Sequence, residues 1–251
     1  MLNAHYFIHF ASLVAFGAFV HGFTGLGFGI TVIAGLAFTP MNLERASVVL
    51  NLLLPILFIA VICASRRDSP SSIKWKLAFF LFTGAFCGVP LGYLFLYSYG
   101  TKPIFYLALG VALFIFSMDY LLRPRIHTRL PLPVGWLAGL AGGFLAGAFT
   151  AGGPPVALFL YSHFENPSEA KGTLQIVFLS ATWWRLLNIV IFGEGYTFQI
   201  LKWAAAFVLL VVAFAWLGHL MARRLSPTTF ARVVYSFIGL AGLFNITRYF
   251  G

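Results

Sequence analysis

The sequence predicts an all-α, polytopic membrane protein built from two inverted structural repeats. Three observations lead to this prediction. Of the 251 residues, 61% are hydrophobic and only 9% are charged; apolar runs long enough to cross a bilayer follow one another along the chain; and the second half repeats the order of the first. A membrane-spanning helix needs roughly 20 apolar residues, so about eight such runs use most of the apolar residues. A soluble catalytic domain therefore has no room in this chain.

Six of the apolar runs have the length of one membrane span each. Charged, proline or glycine residues bound them, and they comprise Ala46 to Ser65, Leu77 to Tyr97, Ile104 to Leu122, Leu174 to Phe192, Ile200 to Met221 and Phe230 to Phe250. Two further runs, Tyr6 to Phe38 and Leu132 to Phe164, are too long for one span. Glycines interrupt the first of these and a Gly-Gly-Pro-Pro segment interrupts the second. We therefore expect each long run to form two helical pieces.

The second half of the chain copies the first at a spacing of 126 residues. Phe23-Thr24 recurs as Phe149-Thr150, Gly27 as Gly153, Leu91-Gly92 as Leu217-Gly218, and Asp119 as Asn245. Both halves also have the same order, a broken run followed by three spans. This pattern predicts two repeats, residues 1–125 and 126–251, within one integral membrane domain.

Positive charge indicates how the repeats are oriented. The connections at 66–76, 123–129 and 223–232 contain ten of the sixteen Lys and Arg residues, and cytoplasmic loops are rich in these residues. All three connections lie on one side only if each broken run enters the membrane and returns as a re-entrant hairpin. Each repeat then reverses sides, so the repeats are inverted. The net charge of +10 is thus attributed to topology and to anionic headgroups, and not to nucleic acid binding.

The two breaks are predicted to form an anion site near the membrane midplane. Backbone that leaves a helix within a bilayer needs hydrogen-bond partners in protein or in a water-filled cavity. The glycines of the first break permit positive φ, and Pro154 and Pro155 of the second suit the first turn of a helix. Each break therefore creates a helix N-terminus, whose partial positive charge and free N–H groups suit an anion. Secondary transporters with inverted repeats use discontinuous helices in this way.

The candidate binding residues belong to the breaks and to the neighbouring spans. They are Thr24, Gly25, Gly27, Gly29, Thr150, Ala151, Gly152, Gly153, Arg185, His21, Gln175, Asn51, Lys171 and Arg45. Charged residues inside spans are costly and mark functional sites, so Arg185 is expected to neutralise the anion; the alternative is an arginine that reaches toward an interface, beside belt tryptophans. Lys171 and Arg45 fit equally well as interfacial charges paired with nearby glutamates. His21, Asn51 and Gln175 fit equally well as packing residues.

Other glycines are predicted to let helices pack closely. These are Gly17, Gly35, Gly84, Gly88, Gly139, Gly143 and Gly147.

Catalytic sequence motifs such as HExxH, GxSxG and the Walker motif are missing from the sequence, and Cys63 and Cys87 lie in apolar runs without metal-ligand spacing. We therefore expect no enzyme activity, no cofactor and no metal site. An anion channel is the main alternative to a carrier, and a membrane protein without transport activity is a further one.

Two motifs carry a resemblance to a known family. Phe-Thr-Gly-x-Gly at Phe23–Gly27 and Phe-Thr-Ala-Gly-Gly-Pro-Pro at Phe149–Pro155, within eight apolar segments and duplicated halves, resemble the TauE/SafE family of sulfite and organosulfur anion exporters. The resemblance covers the whole chain. It implies a multi-pass exporter of sulfite, sulfoacetate or a related organosulfonate in the bacterial inner membrane, with its site at Thr24–Gly29 and Thr150–Pro155. The expected partners are a small anion and the lipid bilayer, and a homodimer is compatible with this interpretation.

Overall fold

The computed structural model contains only helices and connecting turns in the residues it describes, which are 4–36, 38–39, 43–68, 73–122, 129–164, 167–192, 196–222, 224 and 227–250. Ten helices follow one another in this part of the chain: α1 Ala4–Thr24, α2 Phe28–Leu36, α3 Leu43–Asp68, α4 Trp75–Tyr99, α5 Pro103–Leu122, α6 Leu132–Phe149, α7 Gly153–Tyr161, α8 Pro167–Phe192, α9 Phe198–Met221 and α10 Pro227–Phe250. Judged on the described residues, seven of them are long and apolar enough to cross a membrane. The chain is therefore a multi-pass α-helical membrane protein.

The helix boundaries follow the predicted spans, and the largest difference is at the start of α8. This helix begins at Pro167, whereas the apolar run begins at Leu174. The prediction placed the start where hydrophobic residues begin. The helix begins instead where proline fits the first turn, because the N–H that proline lacks would have no intrahelical acceptor there. Lys171 is consequently part of α8 and lies one turn before Gln175.

The first over-long run forms a hairpin of α1 and α2, as predicted. Val32 of α2 packs against Gly17 of α1, and Gly35 packs against Leu13. Later residues of α2 therefore contact earlier residues of α1, which means that the two helices are antiparallel. With nine residues, α2 is about 14 Å long at 1.5 Å per residue and returns only part of the way.

The second over-long run forms an equivalent hairpin of α6 and α7. Val156 of α7 packs against Gly142 of α6, and Phe159 packs against Gly135. This helix also has nine residues and runs back along its partner. Both halves of the chain thus begin with a long helix, a reversal and a short returning helix. Three long helices follow in each half.

Glycine grooves bring α4 and α6 into close contact. A Cβ atom at Gly88 would overlap the carbonyl oxygen of Leu140, and one at Gly143 would meet the backbone of Ala85. The same close approach recurs along both helices at Gly84, Gly92, Gly139 and Gly147. The packing role predicted for Gly84, Gly88, Gly139, Gly143 and Gly147 is confirmed, and Gly92, for which it was not predicted, has the same role. Because α4 belongs to the first half and α6 to the second, the grooves tie the two halves together.

A second close crossing, between α1 and α9, also joins the two halves. The backbone of Ala215 on α9 occupies the space beside Gly22, and the backbone of Phe19 on α1 occupies the space beside Gly218. Gly218 is the counterpart of Gly92 in the 126-residue repeat. Gly92 lets α4 approach α6, and Gly218 lets α9 approach α1. In both cases the glycine brings its helix close to the first helix of the other half.

The last helices of the two halves, α5 and α10, run antiparallel. Gly110 faces Gly242, and further along α5 the Ser117 hydroxyl donates to the carbonyl oxygen of Tyr235 at 2.6 Å. Equivalent helices that pack across the axis relating two inverted repeats must run in opposite directions. The direction of α5 and α10 fits that requirement. The inverted relation itself, and the repeat boundary between residues 125 and 126, stay predictions.

We predict that Gly88→Val lowers the stability of the membrane-embedded protein by about 1–3 kcal/mol, because the added methyl groups overlap the α6 backbone and force α4 and α6 apart. Thermal unfolding of the protein in lipid nanodiscs measures the effect. Leu91→Val is the matched control, because Leu91 lies on the same helix and is 56% exposed. Equal melting temperatures for the two variants would contradict the close α4–α6 packing.

Candidate functional site

The two chain reversals lie against each other in the interior of the protein. Gly29, the second residue of α2, contacts the carbonyl oxygen of Thr150, and a Cβ atom there would overlap this oxygen. Across the same contact, Gly153, the first residue of α7, faces Leu26. The starts of α2 and α7 are therefore neighbours, and glycine at position 29 is what allows the approach.

A cavity of about 60 Å³ lies between the two reversals, α3 and α8. On α3 its lining residues fall between Asn51 and Phe58, half way along the span Arg45–Ala64. On α8 they fall between Phe178 and Arg185, half way along the span Ala170–Phe192. The cavity is thus at mid-height of the two spans that line it.

The cavity wall includes most, but not all, of the predicted site residues. Those that line it are His21, Gly27, Gly29, Asn51, Thr150, Ala151, Gly152, Gly153 and Arg185. Those that lie outside the lining are Thr24, Gly25, Gln175, Lys171 and Arg45. The remaining lining residues are Phe28, which lies within the segment Thr24–Gly29 implied by the resemblance, and seven residues that were not predicted, namely Ile30, Leu54, Phe58, Ala146, Phe178, Ala181 and Thr182.

The amide end of α2 opens into this cavity. The N–H of Thr31 donates to the carbonyl oxygen of Gly27 at 2.9 Å, which makes Gly27 the cap of the helix. The preceding N–H groups of Phe28, Gly29 and Ile30 have no acceptor within the helix, and all three residues line the cavity. The first turn of α2, which has three backbone N–H groups without intrahelical acceptors and the positive end of a helix dipole, is therefore part of the cavity wall.

The amide end of α7 also lines the cavity, but it has fewer donors. Gly153 begins the helix, and Pro154 and Pro155 follow it. Since proline has no N–H group, Gly153 is the one residue of these three that can donate. The two reversals contribute unequally, and α2 provides most of the backbone hydrogen-bond donors.

The carbonyl end of α1 is closed by side chains that were predicted to bind the anion. The Gln175 amide donates from Nε2 to the carbonyl oxygen of Gly25 at 2.7 Å. The Thr24 hydroxyl donates to the carbonyl oxygen of Val20 at 2.9 Å and accepts from the N–H of Leu26 at 3.3 Å. Thr24 and Gln175 thus satisfy the backbone of the first reversal and do not face the cavity.

The carbonyl end of α6 is closed by the backbone of the second reversal. The N–H of Thr150 donates to the carbonyl oxygen of Ala146, and the N–H of Ala151 donates to that of Leu145, each at 3.1 Å. A hairpin tip brings a negative helix end and a positive helix end to the same place, so their dipoles oppose each other. The cavity is lined by residues from both kinds of helix end, and these two α6 carbonyl groups are hydrogen-bonded within the protein.

Thr150 has an unusual backbone conformation at the end of α6. Its φ is 56° and its ψ is 27°, in the left-handed region, where a β-branched residue is an outlier. Such strain is retained where the surrounding structure determines the conformation. Here Arg185 donates from Nη1 to the Thr150 hydroxyl at 2.7 Å. The conformation therefore places a hydroxyl group between the reversal and the arginine.

Arg185 is buried in the cavity wall, with 2% of its surface exposed. Besides Thr150, its guanidinium group donates from Nη1 to Asn51 Oδ1 at 3.3 Å and from Nη2 to Ser47 Oγ at 3.5 Å. Its Nε–H has no partner among the described residues. All of these acceptors are neutral. A buried cation with neutral partners and a free donor can bind an anion, whose charge offsets the cost of burial.

The two tryptophans beside Arg185 do not place this arginine at a membrane interface. Trp183 is exposed on the outer surface of the protein, with 56% of its surface free. Trp184 stacks on Phe86, with 4.2 Å between ring centroids, and donates from Nε1 to the carbonyl oxygen of that residue. The alternative of an arginine that extends to an interface therefore does not describe Arg185.

A tyrosine follows the C-terminal end of α8. Tyr196, in the connection to α9, donates its hydroxyl hydrogen to the carbonyl oxygen of Leu186 at 3.0 Å. Burial raises the pKa of this hydroxyl to about 12, although the positive charge of Arg185 opposes the rise. Tyr196 is therefore neutral at physiological pH and does not provide Arg185 with a negative charge.

The two other predicted cations lie outside the cavity. The aliphatic chain of Lys171 lies over Gly25, about 3.3 Å from the position that a Cβ atom would take there. Arg45 is exposed at the start of α3. The predicted pairing with glutamates involves the side chains of Glu44 and Glu169, which lie outside the described residues.

We predict that Gln175→Leu destabilises the protein by about 1–3 kcal/mol, because it leaves the buried carbonyl oxygen of Gly25 without a donor. Ser180→Ala is the control on the same helix, since the hydrogen bond of the Ser180 hydroxyl within the described part of the chain goes to the carbonyl oxygen of Ile176 one turn earlier. Thermal unfolding in nanodiscs measures both changes. Equal stability of the two variants would show that Gln175 does not support the first reversal.

Comparison with known proteins assigns the chain to a family. A family model described as "Sulfite exporter TauE/SafE" matches residues 10–245, nearly the whole chain. No curated protein and no solved structure matches the sequence. The family match covers both reversals and every residue that lines the cavity. The chain therefore belongs to the sulfite exporter TauE/SafE family, a family of membrane transporters.

Proposed function

We propose that the protein is a secondary transporter that exports a small sulfur-containing anion across the cytoplasmic membrane and binds it in the cavity between the two reversals. The observation that carries this proposal is the buried guanidinium group of Arg185, which faces neutral partners at the point where two helices begin. A charged group at mid-membrane whose partners among the described residues are all neutral is costly, and such groups mark substrate pathways. The family match supports an anion as the substrate.

The arrangement of donors fits an oxyanion with several acceptor atoms. Arg185 has a charged donor at Nε without a partner among the described residues, and Phe28, Gly29 and Ile30, whose N–H groups have no acceptor within the helix, line the same cavity. Hydrogen bonds to a charged group are about twice as strong as those between neutral groups. An anion between the arginine and the start of α2 would therefore be held from two sides.

The size of the cavity favours the smallest candidates. Its volume of about 60 Å³ corresponds to about four to six water molecules, at roughly 10–15 Å³ for each. Sulfite has four non-hydrogen atoms, whereas sulfoacetate and taurine are about twice as large. We therefore propose sulfite, or another oxyanion of its size, as the preferred substrate.

Export of an anion needs no ATP-driven motor. The membrane potential, negative inside, favours outward movement of one negative charge by roughly 2.3 kcal/mol per 100 mV. A carrier that exposes the cavity alternately to the two sides can use this gradient. An anion channel remains the alternative mechanism, and the flux experiment below includes the measurement that separates them.

We predict that Arg185→Gln lowers sulfite flux in proteoliposomes by about 10–100-fold, the factor that corresponds to the loss of about 1.5–3 kcal/mol of charge-assisted hydrogen bonding. Arg185→Lys keeps the charge but loses the planar donors, so an intermediate flux is expected. Thr150→Val removes the hydroxyl that positions the guanidinium group and should also lower flux. Arg129→Gln, a change at an exposed loop residue, is the control and should transport normally.

Melting temperatures of the same samples show whether each variant is folded. Normal flux in folded Arg185→Gln protein would refute the site. Counterflow of labelled sulfite against an excess of unlabelled sulfite distinguishes a carrier from a channel, because only a carrier exchanges the two through an alternating site. Flux that saturates without counterflow would contradict the carrier mechanism and support the channel mechanism.

A further inference from the structure

The buried histidine at the first reversal suggests a second role for the cavity. His21 lies on the last turn of α1, lines the cavity and is 2% exposed. Its ring Nε2 lies 3.2 Å from Oε1 of Gln175. Its Nδ1 is buried and has no partner among the described residues. A buried polar atom without a partner indicates an interaction that the protein alone does not complete.

The hydrogen bonds around Gln175 determine which ring nitrogen of His21 carries hydrogen. A carbonyl oxygen can only accept, so the Gln175 atom that faces the Gly25 carbonyl oxygen must be the amide nitrogen, at 2.7 Å. The amide oxygen of Gln175 therefore faces His21, and Nε2 of the ring must be the donor. In the neutral ring this leaves Nδ1 with a free lone pair. The chain thus fixes the tautomer and leaves one acceptor open at the cavity wall.

The charges around His21 oppose a proton on Nδ1 while the cavity is empty. On α8, Lys171 lies over the adjacent Gly25 and Arg185 lies across the cavity. On α9, which packs against α1 at Gly22, the titratable residue near the end of the helix is His219. The described residues of α2 and α3 that line the cavity bear no charge. A bound anion would reverse this balance, because its negative charge favours a proton at the same place.

We propose that the site binds a doubly charged oxyanion together with one proton, and that this proton lies between Nδ1 of His21 and an oxygen of the anion. The proton comes from water when the anion binds and leaves with it on release. The proton offsets one of the two negative charges of the anion. The unit that binds beside Arg185 and is transported therefore has one net negative charge. This inference rests on the proposed function, because it assigns the proton to the same cavity.

Calorimetry on the full chain in nanodiscs tests this proposal, with sulfite as the probe at about pH 9, where free sulfite is doubly charged. Titrations in two buffers that differ in ionisation enthalpy give the number of protons taken up. We expect about one proton for each sulfite bound, and an affinity that falls about tenfold for each pH unit above that point, as linkage requires. Binding without proton uptake would overturn the proposal.

Two histidine variants locate the proton. His21→Gln retains an amide N–H that can donate to Gln175 but has no atom in place of Nδ1, so sulfite should bind more weakly and without proton uptake. His219→Gln changes a buried histidine outside the cavity lining and should behave as the unaltered protein does. Proton uptake that persists in His21→Gln would overturn the assignment. A complete lack of sulfite binding to the unaltered protein would instead refute the proposed function, and this inference with it.

Discussion

A lipid bilayer provides no hydrogen-bond partners, and this constraint governs the whole arrangement around the two chain reversals. Each reversal exposes carbonyl groups at the end of one helix and N–H groups at the start of the next. The protein satisfies several of these carbonyl groups internally, through Gln175 and Thr24 at the first reversal and through backbone N–H groups at the second. The residues at the start of α2, whose N–H groups have no acceptor within the helix, line the cavity. The selectivity for negative charge that we propose follows from this unequal treatment of donors and acceptors.

The same constraint explains why the first reversal depends on a residue from the second half of the chain, and why the second reversal is linked to the first half through Arg185. The first reversal is supported by Gln175 of α8, and the second is contacted by Arg185, which in turn is held by Asn51 of α3. Glycine grooves between α4 and α6 and between α1 and α9 add backbone contacts between the halves. Movement of one hairpin relative to the rest would therefore change contacts at both reversals.

Much of the fold could be predicted from the sequence, because hydrophobic length and glycine spacing are local properties. The spans, the two hairpins and the packing glycines belong to this part, and so does the burial of Arg185 in the middle of an apolar run. The roles of Thr24 and Gln175 could not be predicted in this way. Both are polar residues near a break, and spacing along the chain does not show whether such a residue faces a carbonyl end or an amide end.

The apolar lining residues were missed for a related reason. Leu54 and Phe58 on α3 continue the helical face that contains Asn51, and Phe178 and Thr182 on α8 continue the face that contains Gln175 and Arg185. A search for residues three, four and seven positions from these polar anchors would have found them.

The close crossing of α1 and α9 has a consequence for biosynthesis. Ala215, which fills the groove at Gly22, is synthesised roughly 190 residues later, or about 10–40 s at ordinary ribosomal speeds. During that interval the newly inserted first hairpin lacks its permanent neighbour, so lipid or an insertion factor must shield its groove until translation is nearly complete.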